Sequence, residues 1–130
     1  MCPYRSHATI GSCARRFTVQ GKTDVAAAGL SKDAQAVEAA GAQLLVLEAV
    51  PSGVAATITD QIRIPTIGIG AGPRCSGQVL VLHDMLGIYP GQASRFVKNF
   101  MNGQQTVQSA IQAFVREVKE GMFPGEEHSY

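Results

Sequence analysis

Between residues 24 and 72 the chain twice follows a helix-spaced segment with a short apolar run. The first run, Leu44-Leu45-Val46-Leu47, ends in the carboxylate Glu48, and the second closes in Gly68-Ile69-Gly70-Ala71-Gly72. A strand buried on both faces of a parallel sheet reads as continuous aliphatics rather than as an alternation. Helix, strand, helix, strand in close succession therefore predicts an α/β fold with a parallel sheet and crossover helices. An ionisable group at the carboxyl end of such a strand sits where α/β proteins place their chemistry. Spacing alone equally allows Glu48 to be a surface carboxylate at a strand–loop junction.

The chain has 130 residues, enough for one modest domain and too few for two. Its aromatic content of 6% with no Trp predicts an aliphatic core. A net charge of +1, with acids and bases interspersed, offers neither the basic stripe of a nucleic-acid binder nor a polybasic membrane patch. Neither nucleic acid nor a membrane is expected as a partner. The three cysteines, Cys2, Cys13 and Cys75, are an odd set without CxxC spacing, which fits a reducing, cytoplasmic setting better than a disulfide framework. No apolar run approaches the length of a spanning helix or the core of a secretion signal.

The spacing predicts a helix over residues 24–40, with Ser31 as a plausible cap for its second half and Gly41 as its stop. A strand over 44–47 follows, then a helix opening near Pro51 and carrying Val54, Ala55, Ile58 and Ile62. Further strands are predicted over 66–69 and 78–82. Beyond residue 90 two helical stripes are expected, one of Phe96, Val97, Phe100 and Met101, the other of Val107, Ile111, Phe114, Val115 and Val118. Three strands do not complete a parallel sheet, so the chain reads as part of a larger α/β unit.

Several motifs fail on their spacing. The glycines of 68–72 follow a strand but place Pro73 where a dinucleotide fingerprint needs its last glycine. They suit a tight turn, or close approach of backbone to a ligand. Gln20-Gly21-Lys22-Thr23 imitates the tail of a phosphate-binding loop but has Arg16 where the upstream glycine belongs. His7, His83 and His128 are too scattered for zinc, and Glu126-Glu127-His128 reads as a solvated tail. His83 and Asp84 follow the third predicted strand and would share a rim with Glu48; for Asp84 a helix cap or turn competes with a direct role.

Four blocks together, Gly41-Ala-Gln-Leu-Leu-Val-Leu-Glu48, Ile64-Pro-Thr-Ile-Gly-Ile-Gly-Ala-Gly72, Gly77-Gln-Val-Leu-Val-Leu-His-Asp84 and Phe123-Pro-Gly-Glu-Glu-His-Ser-Tyr130, closely resemble the ketopantoate (3-methyl-2-oxobutanoate) hydroxymethyltransferases of pantothenate biosynthesis. The resemblance covers residues 17–130 and implies the C-terminal part of a (β/α)8 TIM barrel: its last three or so strands and the helices that follow. It further implies a homo-oligomeric, Mg²⁺-dependent enzyme that moves a one-carbon unit from methylenetetrahydrofolate to the keto acid 3-methyl-2-oxobutanoate, giving 2-dehydropantoate. Carried over residue by residue, Glu48 is the general base, Gly68, Gly70 and Gly72 line the substrate pocket, and His83 with Asp84 scaffold the rim. The carboxylates that hold Mg²⁺ in the family belong to a part absent from this chain, so no metal ligand is assigned within it. A catalytically inactive, truncated remnant is the alternative.

Residues 2–16 match none of these blocks, yet synonymous codons for them exist that, read one base later, spell Ala-His-Ile-Gly-Leu-Thr-Pro-Gln-Ser, a family block. Residues 1–16 are therefore expected to be an aberrant, irregular segment produced by a shifted reading frame.

Overall fold

The computed structural model describes residues 19–89 and 91–130; the expected aberrant segment, residues 1–16, lies outside them. In chain order the elements are α1 (Asp24–Ala39), β1 (Leu45–Glu48), α2 (Ser52–Gln61), β2 (Thr66–Ile69), β3 (Gly77–Gln78), α3 (Leu82–Met85), α4 (Val107–Lys119) and a closing 3-10 turn, Glu126–His128. The strands form one parallel sheet in the order β1-β2-β3, with Leu45 opposite Thr66 and Glu48 opposite Ile69. This is the α/β arrangement expected, and it is consistent with part of a TIM barrel.

α1 is continuous. Its cap is Thr23, whose hydroxyl accepts from the Ala26 amide, and Ser31, expected as a cap, is an interior position. It ends as the glycine predicts. Gly41 takes φ +95°, and the Gly41 and Ala42 amides reach back to the Glu38 and Val37 carbonyls, satisfying the last turn. The Glu38 carboxylate then accepts from the Arg63 and Ile64 amides, tying the end of α1 to the loop that leads into β2.

Three expectations need correcting. The third strand is shorter than residues 78–82, because Leu82 already begins α3. Residues 96–101 form no helix: Phe100 donates its amide across to the Met85 carbonyl, and the Asn99 side chain accepts from the Met101 amide, so an i-to-i−4 ladder has no room. α4 exists, and Phe114 and Val118 of the expected stripe pack against the core beside the small residues Ala110 and Ala113, while Val107, Ile111 and Val115 are exposed.

The apolar interior has two parts. Leu47, Val50, Ala55 and Ile58 pack between the sheet and α1–α2, and Met85, Phe96, Phe100, Ala110 and Phe123 pack beneath α4. Of the expected solvated tail, Glu126 and Glu127 are exposed, whereas His128 lies over the Phe123 ring of the second part, centroids 5.4 Å apart, with its side chain only 15% exposed.

Candidate functional site

A parallel sheet collects the carboxyl ends of its strands on one rim, and Glu48, the glycine turn and α3 all start there. Strand alternation puts Leu45 and Leu47 toward the helices, where Leu47 is buried, and Val46 and Glu48 on the opposite face, where both are exposed. β2 repeats the division: Thr66 and Gly68 are buried on the helix side, and Ile67 and Ile69 share the face of Glu48. The Glu48 carboxylate makes no hydrogen bond or ion pair among the described residues. It borders a groove of about 240 Å³ between the outer edge of β1 and α1, walled by Leu30, Ala34, Val37 and Leu45.

Immediately after Glu48 the backbone turns sharply. Ala49 is 3% exposed and holds φ +52°, a left-handed conformation uncommon for a residue with a Cβ. Two backbone bonds impose it, from the Ala49 amide to the Ile69 carbonyl at 2.9 Å and from the Gln20 amide to the Ala49 carbonyl at 3.0 Å. Conformations of this kind persist where the surroundings over-determine them, and they cluster at functional sites. Alanine is not a turn residue, so nothing in the sequence marks this position.

The three glycines are held by packing. A Cβ on Gly68 would approach Gln78 Oε1 to 2.9 Å and Cys75 Sγ to 3.0 Å. On Gly70, at φ +64°, it would meet the Phe96 side chain at 2.9 Å; on Gly72, at φ +80°, it would fall 2.5 Å from Ser52 Cβ. The turn after β2 is thus clamped between Phe96 and the first residue of α2. His83 is exposed and Asp84 half-buried, both within α3 on the same rim, separated from Glu48 by β2. Asp84 does not cap that helix.

Beneath β2, on the helix side, lies a polar cluster that the sequence did not suggest. Thr66 is fully buried; its hydroxyl lies 2.8 Å from that of Thr59 and accepts from the Ser76 amide at 3.2 Å. Burial pushes the neighbouring Cys75 thiol upward, with hydrogen bonds to Thr66 and Thr59 opposing the shift.

A cavity of about 510 Å³ between the start of α2 and residues 126–130, beside Ser52, Arg74, Arg95 and Tyr130, does not include Glu48. Both arginines are engaged, Arg74 with Asp60 and Arg95 with the Glu126 and Glu127 carbonyls. The cavity lining also carries the Glu126 carboxylate and the hydroxyls of Ser52, Ser129 and Tyr130. Among the described residues no three metal-ligating side chains converge, and no helix is long and apolar enough to cross a membrane.

Residues 6–126 match the sequence model of the family described as ketopantoate hydroxymethyltransferase. The chain is 65% identical over 114 residues to the 3-methyl-2-oxobutanoate hydroxymethyltransferase of Burkholderia multivorans (strain ATCC 17616 / 249), and the match covers 88% of this chain and 42% of the relative. It is 66% identical, with the same coverage, to 3-methyl-2-oxobutanoate hydroxymethyltransferase 1 of Burkholderia ambifaria. The chain thus spans less than half the length of the curated relatives it matches.

Proposed function

The chain belongs to the ketopantoate hydroxymethyltransferase family, and on that premise we propose that Glu48 serves as the general base of hydroxymethyl transfer to 3-methyl-2-oxobutanoate. The observation that carries this reading is a carboxylate closing β1, on the sheet face the helices leave open and opposite Ile69, where the glycine turn begins. Glu48 takes the proton from the carbon next to the keto group. Water hydrolyses both C–N bonds of the bridging methylene of methylenetetrahydrofolate, freeing tetrahydrofolate and the one-carbon unit as formaldehyde; the carbanion equivalent adds to that carbonyl carbon, and the resulting alkoxide takes up the proton to give 2-dehydropantoate. A positioned base contributes about 10²–10⁴-fold to such a step. The backbone of Gly68, Gly70 and Gly72 forms the pocket wall beside the base, and His83 with Asp84 supports the rim.

The described residues do not fit a Mg²⁺ site by themselves. The ion that the family resemblance implies takes its ligands from the portion of the relatives this chain does not span, where it would stabilise the enolate's negative charge. A cytoplasmic homo-oligomer completes the reading. The same open face favours a second reading, in which the chain by itself is inactive because one wall of the pocket is absent.

The test is turnover of 3-methyl-2-oxobutanoate with methylenetetrahydrofolate and Mg²⁺. Formation of 2-dehydropantoate that disappears in Glu48→Gln supports the first reading; no product from the chain alone supports the second.

A further inference from the structure

The cavity of about 510 Å³ shares the rim of Glu48 and adjoins the glycine turn. Gly72 packs on Ser52, which opens α2 and lines the cavity, and Pro73 and Arg74 follow directly along the same lining. Its volume lies within the range of about 300–1,000 Å³ that small-molecule sites occupy. Arg95 is fixed there without a counter-charge. Its Nε and Nη2 donate to the Glu127 and Glu126 carbonyls at 3.2 and 3.3 Å, and its guanidinium carbon lies 5.7 Å from the centre of the Tyr130 ring. No carboxylate among the described residues pairs with it, and residues 1–18 and 90 contain no Asp or Glu that could. Its Nη1 is left to donate to a ligand.

Arg74 adds a second guanidinium, tied to Asp60 at 3.4 Å with both side chains 66% exposed, a pair that solvent weakens and a ligand can replace. α2 begins without a side-chain cap and without an acid in its first turn, so its positive end at Ser52 and Gly53 adds to the field. One carboxylate on the lining, Glu126, opposes it, and Ala56, Pro73 and the Tyr130 ring supply apolar surface. Guanidinium forks match carboxylates, and an aromatic ring packs well on such a surface. We propose that this cavity holds the p-aminobenzoyl-glutamate tail of methylenetetrahydrofolate, with the glutamate carboxylates on Arg95 and Arg74. The proposal rests on the family reading above, which supplies the folate. The tail then lies beyond the glycine turn while the one-carbon end reaches toward Glu48. Binding energy from this unreacting part holds the carbon donor in place.

Isothermal titration calorimetry of this chain with p-aminobenzoyl-L-glutamate reads the site without turnover. Binding is expected, about tenfold or more tighter than that of p-aminobenzoate, which lacks the dicarboxylate, or of L-glutamate, which lacks the ring. Arg95→Gln should weaken it about tenfold or more. Because Arg95 also ties residues 126 and 127, two exposed positions give independent checks. Arg74→Gln should weaken binding about threefold, and Glu126→Gln, which removes the opposing charge, should tighten it by about as much. Absence of binding, equal binding of either fragment, or binding indifferent to both arginine substitutions overturns the proposal. Such a failure would leave Glu48 standing as the proposed base, because proton abstraction from the keto acid is read without folate.

Discussion

Glu48 on β1 stands opposite Ile69 on β2, and the Ala49 amide that follows donates to the Ile69 carbonyl at 2.9 Å. The carboxylate and the Gly70–Gly72 turn are therefore positioned by the same ladder. Whatever displaces that turn also displaces the proposed base, and this coupling makes the packing around the glycines a functional matter.

Gly72→Ala is expected to destabilise the fold by about 1–3 kcal/mol, because its Cβ would fall 2.5 Å from Ser52 Cβ and the residue keeps φ +80°. Adding Ser52→Gly should recover part of that loss, since it removes the clash and leaves the backbone strain. Urea unfolding of the two single variants and the double variant measures the recovery; strictly additive losses would contradict the clash.

Thr66→Val keeps the shape of a fully buried side chain but leaves the Ser76 amide without its acceptor, while the Thr59 hydroxyl keeps its bond to the Ala55 carbonyl. The expected cost is about 1–3 kcal/mol in denaturant unfolding. A variant as stable as the parent would show that the buried cluster contributes no net stability.

Cys75 is buried with its thiol pKa raised chiefly by burial. In a Cys2→Ser/Cys13→Ser background it should alkylate with iodoacetamide far more slowly than the same chain in denaturant. A thiol that resists ionisation in the fold and ionises in the unfolded chain stabilises the fold at neutral pH and stops doing so as pH rises past the ordinary thiol range. Stability should therefore decline at alkaline pH, by less in Cys75→Ala than in the parent.

His128 is the acid-side counterpart. Burial against Phe123 lowers its pKa, opposed in smaller part by the Glu127 carboxylate 3.3 Å from Nδ1. That nitrogen is buried and the contact is too poorly aligned to be a hydrogen bond. The unfolded chain, whose histidine titrates near about 6.5, binds the proton more readily than the folded one. Stability must then fall as pH drops through that value. In thermal unfolding between pH 8 and 5, His128→Gln should lose less stability on acidification than the parent; equal losses would mean that the imidazole is not held neutral.

Much of the sheet was legible in the sequence because both full strands are short apolar runs closed by glycine or a charge. Gly41 and Thr66 mark their boundaries correctly for the same local reason. What escaped depended on tertiary contacts. Val79-Leu80-Val81 reads as strand at any length, yet the turn at Leu82 cuts it short. Phe96 and Phe100 have helical spacing, but the Phe100 amide is drawn to the Met85 carbonyl. On α4 the expected Phe114 and Val118 do face the core, but they share it with Ala110 and Ala113, whose hydropathy is too weak to mark a stripe against the exposed Val107, Ile111 and Val115. At the site, Glu48 was visible as a charge ending an apolar strand. Ala49 was not, since its left-handed backbone is imposed by hydrogen bonds from Gln20 and to Ile69.

The proposed role of Glu48 is to remove the proton beside the keto group. Exchange of the C3 proton of 3-methyl-2-oxobutanoate into D₂O, followed by proton NMR with Mg²⁺ present, reads that step without the folate. The measurement is made on this chain mixed with a polypeptide that supplies the unmatched portion of the relatives. Exchange by the parent, slowed about 10²-fold or more in Glu48→Gln with an unchanged circular dichroism spectrum, is the predicted result. Equal exchange by parent and Glu48→Gln would contradict it.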